Sequence, residues 1–160
     1  MKLPLTVMLL AGASLMQAAP GQGGVAMSVR TAIGIVGYVC EPFQCLPNQT
    51  LAALGEDVEI EVYGRSLAPY VLFGGMPVVG CQPFPGLTGG LALWSPIVTL
   101  HIGGIGATGI GNDCNADVAE HKFQVPTNVP VGVQFRLQAV TFAGTDEGLG
   151  FTRAVEIHTR

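Results

Sequence analysis

Charged side chains are scarce in this chain. Only 11% of its 160 residues are Asp, Glu, Lys or Arg, and the formal net charge is −4 at pH 7. The few Lys and Arg residues are scattered singly, whereas nucleic acids and anionic membrane surfaces require them in clusters. Disorder normally needs low hydrophobicity and high charge, and this composition is the opposite. We therefore expect a folded protein without a nucleic-acid partner.

Recognisable catalytic patterns are also missing. Nucleophilic catalysis needs a base that a third group orients, and Ser28, Ser66 and Ser95 lack such surroundings. Residues 104–109 fit the pattern G-x-G-x-x-G, but the Ile-Gly-Asn that follows cannot begin the helix that a dinucleotide site needs. We expect no enzymatic activity, no catalytic residues and no cofactor.

Helical periodicity is absent, and short alternating segments take its place. Val58, Ile60 and Val62 alternate with polar neighbours, and the same period of two runs from Val133 to Thr141. The 23 Gly and 11 Pro residues supply turns between such segments. The pattern predicts an all-β chain of seven to nine short strands, folded as an antiparallel β-sandwich.

Glycine and proline also predict where individual strands end. We expect the strand that begins at Tyr70 to end at Gly74-Gly75 and Pro77. We likewise expect Ser95-Pro96 to separate two strands, because proline belongs at a strand start or edge.

Residues 1–18 have the features of a secretory signal peptide. Lys2 precedes an apolar run from Leu3 to Leu15, and small residues follow at Ala18 and Ala19. The run is too short to span a bilayer comfortably, so we expect cleavage and no membrane span afterwards. The predicted location is periplasmic, cell-surface or secreted.

Four cysteines in an exported chain suggest two disulfides. They are Cys40, Cys45, Cys81 and Cys114. Three pairings are possible. We favour Cys40 with Cys45 and Cys81 with Cys114, because closing a short local loop costs the least entropy. A zinc site is disfavoured because the second close Cys or Cys/His pair is missing.

One loop has the spacing of a weak calcium candidate. Its oxygen-bearing side chains are those of Asp113, Asn115, Asp117 and Glu120. The glycine and the distant Glu of an EF-hand are absent, and Asn and Asp are also common turn residues. We therefore expect no metal site, with calcium binding by this loop as the alternative.

The three histidines have no sequence-adjacent partners. No two of them stand two or four residues apart, so we interpret them as polar surface. His101 and His121 each lie on a predicted strand, and they could meet across a sheet.

The last third of the chain carries a set of motifs in a recognisable order. A strand ends in Val125-Pro126, Gly132 precedes an alternating strand with the pair Gln138-Ala139, and a Gly-containing loop over 144–150 leads to a final apolar strand over 152–157. In this order the chain resembles the Ig-like β-sandwich domains near the C-termini of many secreted bacterial proteins. Such domains often carry Ser-Asn in the last strand, where this chain has Thr152-Arg153.

This resemblance extends over residues 55–160, since 55–64 and 70–74 are similar to the opening strands of those domains. It implies an immunoglobulin- or fibronectin-like sandwich, and it brings no catalytic residues. Residues 19–54, with one or two strands and a disulfide-stapled loop, then belong to the same domain.

The expected function is that of an exported structural or protein-binding module that self-associates through exposed edge strands. The alternative is a calcium-dependent or carbohydrate-binding adhesin-like domain. Trp94, Tyr70 and Phe84 could form a platform for stacking sugars, although a single Trp is more often part of a core.

Overall fold

In a computed structural model of the chain, the described residues are 25–37, 44–107, 117–142 and 149–160. These residues form eleven strands and no helix, which confirms the all-β prediction. Accordingly, no helix among them has the length and apolar character needed to cross a membrane. The strands are β1 (Ala26–Thr31), β2 (Gly34–Val36), β3 (Asn48–Ala52), β4 (Asp57–Gly64), β5 (Pro69–Pro83), β6 (Leu87–Thr88), β7 (Gly90–Gly104), β8 (Asp117–Gln124), β9 (Gln134–Phe142), β10 (Leu149–Phe151) and β11 (Val155–Thr159).

The number of strands exceeds the predicted seven to nine because several are very short. β2 and β10 have three residues each and β6 has two, and segments of that length carry no periodicity that the sequence could reveal. The predicted signal peptide, residues 1–18, lies outside the described residues.

The strands form two sheets. The first sheet has the order β2-β1-β4-β8, and every pair in it is antiparallel. In the second sheet β9 is central: β11 and β10 pair with it on one side and β5 on the other, and β7 lies beyond β5. Two pairs, β3 with β11 and β6 with β10, are parallel, so the second sheet is mixed rather than purely antiparallel.

Both sheets contribute to one hydrophobic core. From β4, the predicted inward set of Val58, Ile60 and Val62 is buried, which confirms the alternation seen in the sequence. The second sheet supplies a matching set to the same cluster: Ala52, Tyr70, Leu72, Leu137, Ala139, Val155 and Ile157. Because the buried side chains of the two sheets belong to a single cluster, the sheets pack on each other face to face.

The predicted ends of two strands are wrong. β5 continues through Gly74-Gly75 and Pro77 to Pro83, and β7 continues through Ser95-Pro96, so the two form one long hairpin. Pairing between the strands overrides the local turn signals. A Cβ at Gly75 would lie 3.1 Å from the Trp94 carbonyl oxygen, so this glycine permits a close crossing rather than ending a strand.

The far half of this hairpin covers the outer face of β9. There the buried Gln138 side chain accepts a hydrogen bond from the Ala92 amide and donates to the Gly90 and Thr152 carbonyls, each at 2.8 Å. Thr152 Oγ1 in turn accepts a hydrogen bond from the Ala139 amide at 2.9 Å. The Gln138-Ala139 pair and Thr152 therefore fasten the β7 end of the hairpin to the sheet beneath it.

Candidate functional site

The disulfide of the described residues joins Cys45 to Cys81, with Cα atoms 5.2 Å apart. The predicted pairing of Cys40 with Cys45 and of Cys81 with Cys114 is therefore wrong, and both Cys40 and Cys114 lie outside the described residues. The sequence-based prediction paired Cys45 with Cys40, its nearest cysteine in the chain, because closing a short loop costs the least conformational entropy. Instead, the unexpected continuation of β5 through Cys81 brings this residue to the segment that precedes β3.

The calcium candidate is described only in part. Asp113 and Asn115 lie outside the described residues. Asp117 begins β8 and accepts a hydrogen bond from the Ser66 hydroxyl, while Glu120 is exposed on the same strand. Within the described part of the chain, no group of three or more His, Cys, Asp and Glu side chains is placed to hold a metal ion. Calcium binding by this loop stays a prediction.

A buried ion pair lies beneath the hairpin. Arg136 Nε is 2.7 Å from Glu156 Oε2, and the Arg136 guanidinium also donates to the Val78 and Ala92 carbonyls. His158 Nε2 is 2.8 Å from Glu156 Oε1. Burial acts to raise the pKa of Glu156, but the hydrogen bonds and charges of Arg136 and His158 hold it below its ordinary value. The alternation in the sequence predicted that Arg136 faces away from the core. It did not predict that Arg136 is buried, because the sequence does not show that the hairpin covers this face.

The acidic residues around β4 are paired with near neighbours. Glu59 contacts Arg30 at 3.4 Å and Lys122 at 3.2 Å, and the three side chains are between 44% and 75% exposed. Glu61 accepts hydrogen bonds from Ser28 at 2.6 Å and from the Tyr63 hydroxyl. Burial and this bond to Glu61 raise the pKa of Tyr63 to about 12. The pairings of Glu59 are those of a solvated strand face, whereas Glu61 and Tyr63 are partly buried.

His101 and His121 come together between the two sheets. His101 lies on β7 and His121 on β8, and their ring centroids are 4.1 Å apart. The hydroxyl of Tyr70, a buried residue of β5, is hydrogen-bonded to His121 Nε2. Burial and the nearby His101 lower the pKa of His121, and burial raises the pKa of Tyr70. The two histidines therefore meet, as their predicted strands allowed, but they do so between the two sheets, and His101 stays exposed.

β7 also carries exposed apolar side chains on both of its faces, which we together call the β7 strip. It consists of Trp94, Ile97, Val98, Leu100 and Ile102, which are between 38% and 70% exposed. β7 contains no Asp, Glu, Lys or Arg. Among the described strands it pairs only with β5, so none of them continues the sheet beyond it. Several exposed apolar side chains on a long edge strand without formal charges are typical of an interaction surface.

The predicted aromatic platform does not form as a unit. Tyr70 is buried in the core, and Phe84 packs against Phe151 with ring centroids 5.9 Å apart. Trp94 is 63% exposed on the β7 strip, so the expectation that a lone tryptophan lies in the core is wrong.

No protein-family model matches this chain, and no curated protein matches it in sequence. Its function therefore has to be inferred from its own residues.

Proposed function

We propose that this chain is an exported, non-enzymatic module with an Ig-like β-sandwich fold, and that it self-associates through the β7 strip. The strand orders and the parallel pairing of β3 with β11 support this fold type. So does the use of Gln138, a position of the sequence resemblance, to fasten the hairpin. The Cys45–Cys81 disulfide is compatible with an oxidising compartment such as the periplasm or the cell exterior.

The observation that carries the proposal is the apolar, uncharged character of β7. Natural proteins usually protect a long edge strand with charged side chains. β8, which ends the first sheet, carries Asp117, Glu120 and Lys122, whereas the other described end strands, β2, β3 and β6, have five residues or fewer. β7 has fifteen residues and no formal charge.

A second copy of the chain is the partner that these features favour. The chain is acidic overall, so two copies would repel each other across most surfaces, but two β7 strips can meet without placing like charges opposite each other. A symmetric contact between identical patches is also the commonest arrangement in homodimers.

Side chains, rather than backbone pairing, dominate this contact. Pro96 lacks an amide donor, and Leu100 is an extra residue in the ladder because Leu72 pairs with His101 and Phe73 with Thr99. Both features interrupt strand addition along β7. The association is therefore a packing of exposed apolar side chains, with short backbone pairing at most.

The size of the strip predicts a weak complex. Full burial of one Val, Leu or Ile side chain contributes about 1.5–3 kcal/mol. The strip residues already have roughly half of their surface buried, so two copies together gain at most on the order of 10 kcal/mol. Association itself costs about 4–15 kcal/mol. We expect a dissociation constant in the micromolar range or weaker.

Sedimentation velocity on the mature protein over a wide concentration range tests the proposal. The wild type should shift reversibly from monomer to dimer, and Val98→Lys should stay monomeric because it places a charge in the strip. Val131→Lys is the matched control: Val131 is also exposed, at 67%, but lies in the turn before β9, and its substitution should leave association unchanged. A wild type that stays monomeric at the highest concentration, or equal effects of the two variants, would refute self-association through β7.

A carbohydrate ligand is the second candidate, and the exposed Trp94 favours it because an open indole face can stack on a sugar ring. A glycan array distinguishes the two functions. Carbohydrate binding should disappear in Trp94→Ala and persist in Val98→Lys, whereas self-association should be lost in Val98→Lys.

A further inference from the structure

The histidine pair lies at the side of the molecule where the last strands of both sheets meet. β8 ends the first sheet, and β7 ends the second beyond β5. His121 on β8 and His101 on β7 place their rings 4.1 Å apart, centroid to centroid, so the pair links the two layers.

Two further residues determine how the rings are held. The Tyr70 hydroxyl is hydrogen-bonded to His121 Nε2, and the Tyr70 ring stacks on His101 at a centroid distance of 5.9 Å. Gly103 leaves the space that His101 occupies, since a Cβ there would lie 2.7 Å from His101 Nε2. Any side chain at position 103 would therefore push the His101 ring out of its place.

The chemistry of this arrangement suits a metal ion. Neutral imidazole is a good ligand for Zn²⁺, Cu²⁺ and Ni²⁺, and here two imidazole rings lie 4.1 Å apart, centroid to centroid. Metal-binding histidines usually donate their other ring N–H to a neighbouring oxygen, and Tyr70 provides that oxygen at His121 Nε2. The nitrogen of His121 that remains for a metal is Nδ1.

We propose that His101 and His121 together bind one divalent transition-metal ion and that this ion ties β7 to β8. Since the described residues add no third His, Cys, Asp or Glu, water completes the coordination. His101 is exposed, so water and the ion can reach the pair from solvent. The metal site does not require self-association, although His101 lies between Leu100 and Ile102 of the β7 strip.

Isothermal titration of the metal-free, untagged protein with ZnCl₂ and with CuCl₂ at pH 7.4 tests this site. We expect one ion per chain. His101→Gln and His121→Gln should each weaken binding by about tenfold or more, because each removes one of two protein ligands. Gly103→Ala should weaken binding although both histidines remain. His158→Gln is the matched control: His158 lies on β11 beside Glu156, and its loss should not change the affinity.

Circular dichroism shows whether each variant is folded. A readout that needs no variant is the electron paramagnetic resonance spectrum of the wild type with one equivalent of Cu²⁺, which should show hyperfine coupling to two imidazole nitrogens. The proposal fails if the wild type shows no saturable binding, if that spectrum shows no imidazole nitrogen, or if a folded His101→Gln/His121→Gln double variant binds as tightly as the wild type.

Discussion

His101 and His121 stand on different sheets, yet their imidazole rings are 4.1 Å apart. Twenty residues separate them in the chain, and part of that segment, 108–116, lies outside the described residues. The contact brings the exposed strand β7, which carries the proposed association surface, against the last strand of the opposite sheet. Protonation or substitution of either histidine can therefore be followed in the free energy of unfolding and in the self-association of β7.

Mild acid should destabilise the protein through His121. Its pKa is lower in the folded protein than the ordinary value of 6.5, so the unfolded chain binds more protons in this range and the free energy of unfolding falls as the pH falls through 6.5. The decrease ends below the lowered folded pKa. Urea denaturation between pH 7.5 and 5.5, with EDTA present, measures it. His121→Gln should flatten this part of the profile; equal profiles for wild type and His121→Gln would contradict the assignment.

Loss of the buried ion pair should be far more costly than loss of an exposed one. Arg136→Met leaves the Glu156 carboxylate buried without its cationic partner, and we expect the free energy of unfolding to fall by about 3–5 kcal/mol. Arg30→Met removes the solvent-exposed pair with Glu59 and should cost less than about 1 kcal/mol. Equilibrium urea unfolding of both variants at pH 7 checks the difference, and similar losses would show that the hairpin does not shield Arg136.

The same ion pair makes stability depend on pH in a second, more acidic range. The pKa of Glu156 is lowered in the folded protein, so its contribution is complete above the ordinary value of 4.5 and is lost as the pH falls through the folded value. Glu156→Gln should reduce the loss of stability below pH 4.5. Thermal unfolding monitored between pH 5 and 2.5 measures this, and a wild-type profile that is flat there would contradict the lowered pKa.

Gln138 should be needed for stability although its neighbours in sequence suggest an exposed site. Gln138→Met keeps the side-chain size but leaves the Ala92 amide and the Gly90 and Thr152 carbonyls without their partner. An unsatisfied buried group costs about 1–3 kcal/mol, so we expect a total loss of roughly 3 kcal/mol or more. Gln134→Met on the same strand, where the side chain is exposed, should change stability by less than about 0.5 kcal/mol. Chemical denaturation of the two variants measures the difference in their free energies of unfolding. A loss below about 1 kcal/mol in Gln138→Met would mean that water replaces these hydrogen bonds.

The disulfide connectivity can be read from a tryptic digest. Cleavage at Arg30, Arg65 and Lys122 places Cys45 and Cys81 on different peptides, 31–65 and 66–122. The Cys45–Cys81 bridge therefore links these peptides under non-reducing conditions, and the link should persist in the double variant Cys40→Ser/Cys114→Ser. The pairing of Cys40 with Cys45 and of Cys81 with Cys114 would leave them unlinked. The double variant Cys45→Ser/Cys81→Ser should lose about 4 kcal/mol, given the 36-residue separation.

Local patterns predicted much of the fold. The alternation over Val58–Val62 and over Val133–Thr141 located two central strands and their core faces, because side chains in a strand point to opposite faces whatever the rest of the chain does. The absence of helical periodicity likewise predicted the all-β class.

Other features depended on segments that are distant in sequence. The length of β5 and β7, the partner of Cys45, the burial of Arg136 and Gln138 and the meeting of His101 with His121 all follow from how the long hairpin lies on the second sheet. A period of two specifies which side chains share a face, but it carries no information on which distant strand will cover that face. Only the packing of the two sheets and the hairpin decides that, because it depends on contacts between residues that the chain brings together from far apart.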